Sequence, residues 1–243
     1  CIRDSIATVP SDETSSTPTL LTAGTNDSYP AYSPDGTMIT FMRSGQVWKM
    51  TESGGSLTQL TSGLDIVSPS FTSDNSFIVF ENRQNGRLCR IPVSGGSVEI
   101  LSISGSRPRM YGESDIVSYS KIASGSGKVY YYTFASGGET IATSNTADDI
   151  YPWYCDTIGT IVFSSNRNTN YQLWSMLENG SSESQIRSSS DNETDPSVSS
   201  DGSLIAFASD LHGNRDIFSC PIAGSPATRL TTCLLYTSPS PRD

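Results

Sequence analysis

Histidine is almost missing from this sequence, since His212 is the single one among 243 residues. A serine-hydrolase triad needs a histidine base, and one imidazole cannot build a metal site with several histidine ligands. The chain also lacks a Gly-x-Ser-x-Gly elbow, and Ser126-Gly127-Lys128 lacks the remaining spacing of a phosphate-binding loop. We therefore predict no catalytic residue, no metal ligand and no cofactor, and we interpret His212 as a solvated loop residue.

Positive charge and long apolar runs are also scarce. The chain has 15 Lys and Arg against 25 Asp and Glu, which gives a net charge of −10. This balance argues against nucleic acid or an anionic membrane surface as the partner, because both need a basic face. No run approaches the roughly 18 apolar residues of a membrane-spanning helix. The apolar residues mostly alternate or form short runs, which favours β-strands.

Five prolines mark a tandem repeat of about forty residues. They are Pro30, Pro69, Pro108, Pro152 and Pro196, at spacings of 39, 39, 44 and 44 residues. An aromatic residue follows each proline by eleven positions: Phe41, Phe80, Tyr119, Phe163 and Phe207. A β-branched residue precedes each aromatic by two positions: Ile39, Ile78, Val117, Ile161 and Ile205. A pattern repeated five times at fixed offsets predicts a repeat architecture.

The local chemistry of each repeat predicts four short antiparallel strands, named a to d. Ser33-Pro34-Asp35-Gly36 has the residue types of a type I turn, which would join strand a (about 29–33) to strand b (about 37–43). Strand c follows at about 47–50 and strand d at about 57–61. Four such strands form a propeller blade, and stacked blades bury the faces that one blade exposes. The predicted fold is therefore an all-β propeller.

The predicted domain boundaries follow from the repeat. Residues 1–18 are expected to be a flexible tether and 19–232 the propeller. The five blades are expected at about 25–61, 64–102, 105–144, 148–188 and 192–232. Residues 19–22 match a strand d without its blade, which predicts six blades or more in the complete ring. Two arrangements stay open: an arc without its closing blade, or a ring shut by pairing 19–22 with blade 5.

Both termini have unusual features. The last eleven residues, Cys233 to Asp243, resemble a translated sequencing adapter, so they are excluded from the interpretation of the fold as a non-native tail. The first residue, Cys1, precedes a stretch rich in Ser, Thr, Asp and Pro. This arrangement resembles a mature bacterial lipoprotein with a lipidated Cys1, and the alternative is a fragment that starts at an arbitrary residue.

The repeat resembles the TolB-like (PD40) propeller family. The resemblance covers residues 19–232 and is carried by Tyr29-Pro30-Ala31-Tyr32-Ser33-Pro34-Asp35-Gly36, by Phe163-Ser164-Ser165-Asn166-Arg167-Asn168 and by Asp201-Gly202. Blade 3 departs from the pattern, because Gly112-Glu113-Ser114 replaces the Pro-Asp-Gly turn. The resemblance implies a six-bladed, mostly periplasmic domain that binds other proteins.

The d–a connections are expected to lie at one mouth of the central channel. The candidate binding residues there are Asp27, Tyr29, Asp65, Arg107, Asp148, Asp149, Tyr151, Glu193 and Asp195. We hypothesise that this acidic face attracts a basic peptide, a partner protein or a weakly bound divalent cation. The alternatives are structural: the acids satisfy turn amides, or they pair with Arg83, Arg167 and Arg215 of the nearby b–c loops.

Two functions remain open. The first is a non-enzymatic binding or scaffold propeller of the bacterial cell envelope. The second is the N-terminal propeller of a prolyl-oligopeptidase-like serine peptidase whose catalytic domain lies beyond residue 232. Cys89, Cys155 and Cys220 fall in three different blades, so we interpret them as isolated, partly buried thiols rather than a disulfide framework.

Overall fold

The structure is a computed structural model that describes residues 5–10, 18–23, 26–72, 74–110 and 116–232. Lipidation of Cys1, the adapter-like tail at 233–243 and the blade 3 turn at 112–114 lie outside these residues. The only helical element within them is a single 3-10 turn, Asp156–Ile158. None of the described helices is long and apolar enough to cross a membrane.

The chain opens with a two-stranded sheet and continues as five four-stranded antiparallel blades, which confirms the predicted fold class. The opening strands are β1 (Ala7–Thr8) and β2 (Thr19–Leu20). Blade 1 contains β3 (Asp27–Tyr32), β4 (Met38–Arg43), β5 (Gln46–Thr51) and β6 (Thr58–Gln59). Blade 2 contains β7 (Ile66–Phe71), β8 (Phe77–Asn82), β9 (Arg87–Pro92) and β10 (Glu99–Ser104).

The remaining blades have the same strand order, from strand a to strand d. Blade 3 contains β11 (Ser106–Met110), β12 (Ile116–Ala123), β13 (Ser126–Thr133) and β14 (Gly138–Ile141). Blade 4 contains β15 (Asp149–Cys155), β16 (Thr160–Asn168), β17 (Asn170–Leu177) and β18 (Ser184–Gln185). Blade 5 contains β19 (Glu193–Val198), β20 (Leu204–Ser209), β21 (Asp216–Pro221) and β22 (Thr228–Arg229).

The β-branched and aromatic pairs of strand b form the core between blades, as predicted. All ten side chains are buried, from Ile39 and Phe41 in blade 1 to Ile205 and Phe207 in blade 5. Each pair faces the preceding unit of the fold. In blade 4, for example, Phe163 packs with Val129 of blade 3. Burial of both faces of a blade therefore depends on its neighbours, as expected for a repeat fold.

A second set of buried residues faces the following blade. It consists of one residue of strand c in each of the first four blades: Val47, Leu88, Val129 and Leu173. All four are fully buried, and each packs into the cluster of the next blade. Ile217 holds this position in blade 5 and is 40% exposed. Strand packing runs from blade 1 to blade 5 in order, and no comparable packing joins blade 5 to blade 1 among the described residues.

The N-terminal segment differs from its prediction in two respects. Residues 1–18 do not form a simple tether, because β1 lies within them and pairs with β2. Ring closure by pairing 19–22 with blade 5 is wrong, because the register joins Thr8 to Thr19 and Ala7 to Leu20. The physical reason is Ile6, an apolar residue in a polar stretch, which is buried against Ile39 and Phe41 of blade 1.

Candidate functional site: the mouth of the channel

The residue before each repeat proline has the same unusual backbone. These residues are Tyr29, Ser68, Arg107, Tyr151 and Asp195, and their φ angles lie between 53° and 57°. Non-glycine residues seldom adopt this left-handed conformation. It coincides with an irregular register between strands a and b in all five blades. A β-bulge redirects a side chain, so the repeat places one redirected residue of each blade at the inner strand.

Arg107 links three blades across the channel. Its Nη1 lies 3.3 Å from Oδ1 of Asp195 in blade 5. Its guanidinium lies 3.9 Å from the ring centroid of Tyr151 in blade 4, within the range of a cation–π contact. Asp195 also accepts a hydrogen bond of 2.6 Å from Arg215. Burial raises the pKa of Tyr151; Arg107 and Arg215 oppose that shift, while Asp195 and Tyr29 add to it. The predicted site residues Arg107, Tyr151 and Asp195 therefore do come together, and Tyr29 is close enough to influence the pKa of Tyr151.

A second arginine of blade 3, Arg109, lies beside this cluster. Burial lowers the pKa of Arg109, and the positive charge of Arg107 adds to that shift. Asp195 and Tyr29 oppose it. Its Nη1 is buried without a hydrogen-bond partner. Its guanidinium lies 6.0 Å from the ring centroid of Trp153 in blade 4. Arg109 thus adds positive charge and unused hydrogen-bonding capacity to a part of the molecule where water is largely excluded.

A groove of about 520 Å³ opens next to Arg215, between blades 4 and 5. Its lining combines aromatic, polar and charged side chains: Ile150, Tyr151, Tyr171, Asn192, Thr194, Asp210 and Arg215. The carboxylate in this lining, Asp210, and the carboxylate paired with Arg215 are both already engaged. Asp210 accepts hydrogen bonds from the backbone and side chain of Asn192, and Asp195 is paired with Arg215. Tyr151 and Arg215 therefore belong to both the groove and the channel cluster.

Three of the predicted site acids are buried in ion pairs instead of facing the channel. Asp27 accepts two hydrogen bonds from Arg43, at 2.6 and 2.8 Å. Asp149 accepts one of 3.1 Å from Arg167. Glu193 accepts one of 2.8 Å from Arg187, and its second oxygen is buried without a partner.

The geometry of these pairs repeats between blades. In blades 1 and 4 the acid begins strand a, and the arginine near the end of strand b stacks on a tryptophan of strand c. The guanidinium of Arg43 lies 4.9 Å from the ring of Trp48, and that of Arg167 lies 4.1 Å from the ring of Trp174. A paired carboxylate contributes little field at the mouth, so the mouth is less acidic than the sequence suggests.

The last two predicted residues lie in the d–a loops. Asp65 is exposed, and its carbonyl accepts a hydrogen bond from the Arg83 amide. Asp148 accepts a hydrogen bond of 2.7 Å from the Gly127 amide. Neither joins the cluster around Arg107. Three residues near the site, Ser68, Arg109 and Tyr171, were not predicted from the sequence. Arg215 was predicted only as a structural ion-pair partner of the loop acids. The position before each repeat proline was a usable signal for Ser68, whereas Arg109 and Tyr171 follow from contacts between blades.

The described residues hold no group of three or more His, Cys, Asp and Glu side chains arranged to bind a metal ion. His212 is exposed, with its ring 6.0 Å from that of Phe218. Cys89, Cys155 and Cys220 are buried. Burial raises the pKa of Cys89, and that of Cys220 to about 11. A thiol with a raised pKa is a poor nucleophile at neutral pH.

The fold is a β-propeller of five blades with a recurrent bulge in each inner strand, and the bulged residues Arg107, Tyr151 and Asp195 meet in one cluster. Comparison with solved structures finds a putative TolB from Agrobacterium tumefaciens at a TM-score of 0.78 and 19% identity. The match covers 88% of this chain and 84% of that one. TolB from Acinetobacter baumannii matches at a TM-score of 0.74 and 19% identity, over 86% of this chain and 55% of that one.

A third match is dipeptidyl peptidase 4 from Porphyromonas gingivalis, at a TM-score of 0.50 and 14% identity. It covers 88% of this chain and 40% of that one. Scans against protein-family models and curated proteins found no match. At such low identity, the structural likeness establishes the propeller fold and its similarity to TolB propellers.

Proposed function

We propose that this chain is a non-enzymatic propeller that binds a protein or peptide partner at the mouth of its channel, as part of the bacterial cell envelope. The observation that carries the proposal is the convergence of Arg107, Tyr151 and Asp195 from three blades beside an open groove. Pockets that bind ligands combine apolar walls with a few convergent polar groups. The likeness to TolB propellers supports this reading, and a lipid anchor at Cys1 belongs to the same proposal.

The chemistry of the mouth favours a partner segment that carries a carboxylate. Arg107 and Arg215 share one acid, Asp195. Two guanidinium groups present about ten N–H donors, while one carboxylate offers about four acceptor sites. The side chain of Arg215 is 55% exposed, so its remaining donors are accessible. An incoming Glu, Asp or chain terminus would pair with these donors, and Tyr151 and Tyr171 would contact its apolar atoms.

The test measures binding of a fluorescein-labelled peptide with six glutamates and of a matched peptide with six lysines, by fluorescence polarisation. We expect the glutamate peptide to bind more tightly. Arg215→Gln should weaken its binding by roughly tenfold or more, since a hydrogen bond to a charged group contributes about 1.5–3 kcal/mol. Arg90→Gln is the matched control, because Arg90 pairs with Glu99 on the outer strands of blade 2.

Three results would count against this assignment. Tighter binding of the lysine peptide would favour the hypothesis that the acid-rich loops bind a basic partner. Calcium binding that is lost in the double variant Asp149→Asn and Asp195→Asn would point to a cation. If the Arg215→Gln and Arg90→Gln variants bind the glutamate peptide equally tightly, the channel mouth is not the binding surface.

The second candidate is the propeller portion of a serine peptidase. The observation in its favour is the match to dipeptidyl peptidase 4, of which this chain covers 40%. Recovery of the full reading frame separates the two candidates. A further 200 or so residues with a Gly-x-Ser-x-Gly elbow would support the peptidase, and an end within about one blade would support the binding propeller.

A further inference from the structure

One charged side chain of the inner strands differs from its equivalents in the other blades. The residue after the repeat proline is Arg109 in blade 3, whereas the other four blades have small or aromatic residues there: Ala31, Ser70, Trp153 and Ser197. Strand β11 starts at the d–a connection, so Arg109 lies two residues further from the mouth than Arg107. Blade 3 therefore places a second guanidinium deeper in the channel than the one that crosses its mouth.

The acids near this strand are already engaged by other groups. Asp195 accepts hydrogen bonds from Arg107 at 3.3 Å and from Arg215 at 2.6 Å. Glu81 of blade 2 accepts a hydrogen bond of 3.3 Å from the Arg107 amide, and burial raises the pKa of Glu81. In contrast, Nη1 of Arg109 is buried and has no hydrogen-bond partner among the residues that the structure describes. The guanidinium of Arg109 thus retains donors that no acid of this region uses.

A second buried donor lies on the neighbouring inner strand, β7. Ser68 is fully buried, and its hydroxyl has no partner within the described part of the chain. The two strands are in direct contact, because the Met110 amide donates a hydrogen bond of 3.2 Å to Ser70 Oγ. Inner strands of successive blades run in the same direction, so this bond places Ser68 level with Pro108, beside Arg109. Adjacent strands therefore carry two unused donors at about the same depth.

The chemistry of these two donors matches an oxyanion. A buried charge without a counter-charge destabilises a fold. The guanidinium fork matches the oxygens of phosphate-like anions, and a serine hydroxyl can donate to a further oxygen. Arg107 spans the channel on the mouth side of these donors, in contact with Asp195 and Tyr151. This position favours a free ion over a peptide segment as the ligand.

We propose that Arg109 and Ser68 form a binding site for a small inorganic oxyanion, of the phosphate or sulfate class, inside the channel. Arg109 donates N–H groups to the anion and Ser68 donates its hydroxyl. The site differs from the carboxylate site proposed at the mouth, since it uses neither Arg215 nor the groove. The bound anion neutralises a buried charge, so the anion stabilises the fold and Arg109 destabilises it when the anion is absent.

The test compares thermal unfolding of the full chain in sodium phosphate and in sodium chloride of equal ionic strength. We expect about 50 mM phosphate to raise the melting temperature by about 3 °C or more relative to chloride. Arg109→Met should abolish this rise. The same variant should melt at a higher temperature than the parent chain in chloride, because an apolar side chain replaces an unpaired buried charge.

Isothermal titration calorimetry with phosphate measures the affinity of the site directly. Arg109→Gln should weaken phosphate binding at least about tenfold, and Ser68→Ala about threefold or more. Arg90→Gln is the matched control and should bind like the parent chain, because Arg90 pairs with Glu99 on the outer strands of blade 2. Glycerol 3-phosphate, which carries the same group on a larger body, should bind at least about tenfold more weakly than phosphate.

Three outcomes would overturn the proposal. The first is an equal melting temperature of the parent chain in phosphate and in chloride. The second is unchanged phosphate affinity in Arg109→Gln or in Ser68→Ala, which would make the residue a purely structural one. The third is equally tight binding of glycerol 3-phosphate, which would identify the ligand as a phosphate group on a larger molecule. All measurements are made without peptide, so their failure leaves the proposed function of the mouth standing.

Discussion

Leu173 in blade 4 and Ile217 in blade 5 hold the same position in strand c but have different environments. Leu173 is fully buried against blade 5, whereas Ile217 is 40% exposed. Both are branched aliphatic residues that directly precede the partner of the strand b aromatic. The difference therefore comes from the neighbour and not from the side chain. Burial in this repeat fold is a property of the interface between blades.

The other end of the series shows how such a face is covered. Blade 1 has no complete blade before it among the described residues, yet Ile39 and Phe41 are buried. Ile6 and Leu21 of the N-terminal segment provide that cover. A small segment can thus replace the outer part of a blade, while Tyr32, nearer the channel, stays exposed.

The largest expected effect tests the comparison directly. Leu173→Ala should lower the free energy of unfolding by about 2–5 kcal/mol, because it leaves a cavity between two blades. Ile217→Ala should change it by about 0.5 kcal/mol or less, as for most exposed positions. Urea unfolding followed by tryptophan fluorescence measures both. Equal losses would show that the outer face of blade 5 is covered in solution.

The next effect concerns the cover of blade 1. Ile6→Ala should destabilise the protein by roughly 2–4 kcal/mol, since Ile6 is buried against the aromatic core. Leu20→Ala is the matched control, because Leu20 lies in the same small sheet and is half exposed. If both variants have the same midpoint of urea unfolding as the parent chain, the N-terminal segment does not pack on blade 1.

A smaller effect compares one hydrogen bond at the two ends. Thr22→Val removes the acceptor of the Ile6 amide, and Thr231→Val removes that of the Ile217 amide. Each should cost about 1 kcal/mol. Amide hydrogen exchange should accelerate at residue 6 in the first variant and at residue 217 in the second. Unchanged exchange at residue 6 would show that the hydrogen bond from Ile6 to Thr22 is not formed in solution.

The smallest effect is a pH dependence in the a–b turns of blades 1 and 5. Hydrogen bonds from the Ser199 hydroxyl and the Ser203 amide lower the pKa of Asp201 to about 2. The pKa of Asp35 is lowered in the same way by Ser33 and Thr37. A depressed pKa in the folded state stabilises the protein above the unfolded value of 3.8, and this contribution is lost as the pH falls toward 2.

Carbon-detected NMR titration of the aspartates measures this shift. Asp201→Asn should remove the loss of stability at low pH that Asp201 causes. The contribution of Asp35 in blade 1 should remain. A pKa of Asp201 at or above 3.8 would show that the turn is not formed in solution.

Periodic features were predictable from the sequence, and contacts between distant blades were not. The offsets from Pro30 to Phe41 predicted the strands, the turns and the aromatic core, because each depends on residues close in the chain. The pairing of Arg107 with Asp195 joins positions 88 residues apart and depends on how five blades curve around an axis. The cover of blade 1 was not predicted, because residues 1–18 contain few apolar residues and carry none of the repeat's proline and aromatic markers.

The candidate site shows the same division. The acids of the loops could be found in the sequence. Whether each one is exposed or buried in an ion pair could not, because that depends on contacts made only in the folded chain. Asp149 is buried against Arg167, whereas Asp195 is shared by two arginines at the mouth. Four of the candidate residues predicted from the d–a connections directly precede a repeat proline, where one backbone bulge recurs in every blade.

The recurrent bulge before each proline also affects how such a protein can change. The backbone at this position is nearly identical in all five blades, although the residues there are two tyrosines, a serine, an arginine and an aspartate. The side chain at this position therefore differs between blades while the backbone conformation stays the same. Aromatic, hydroxyl and charged side chains are all accepted there, so we expect a substitution at one of these positions to leave the bulge and the blade intact.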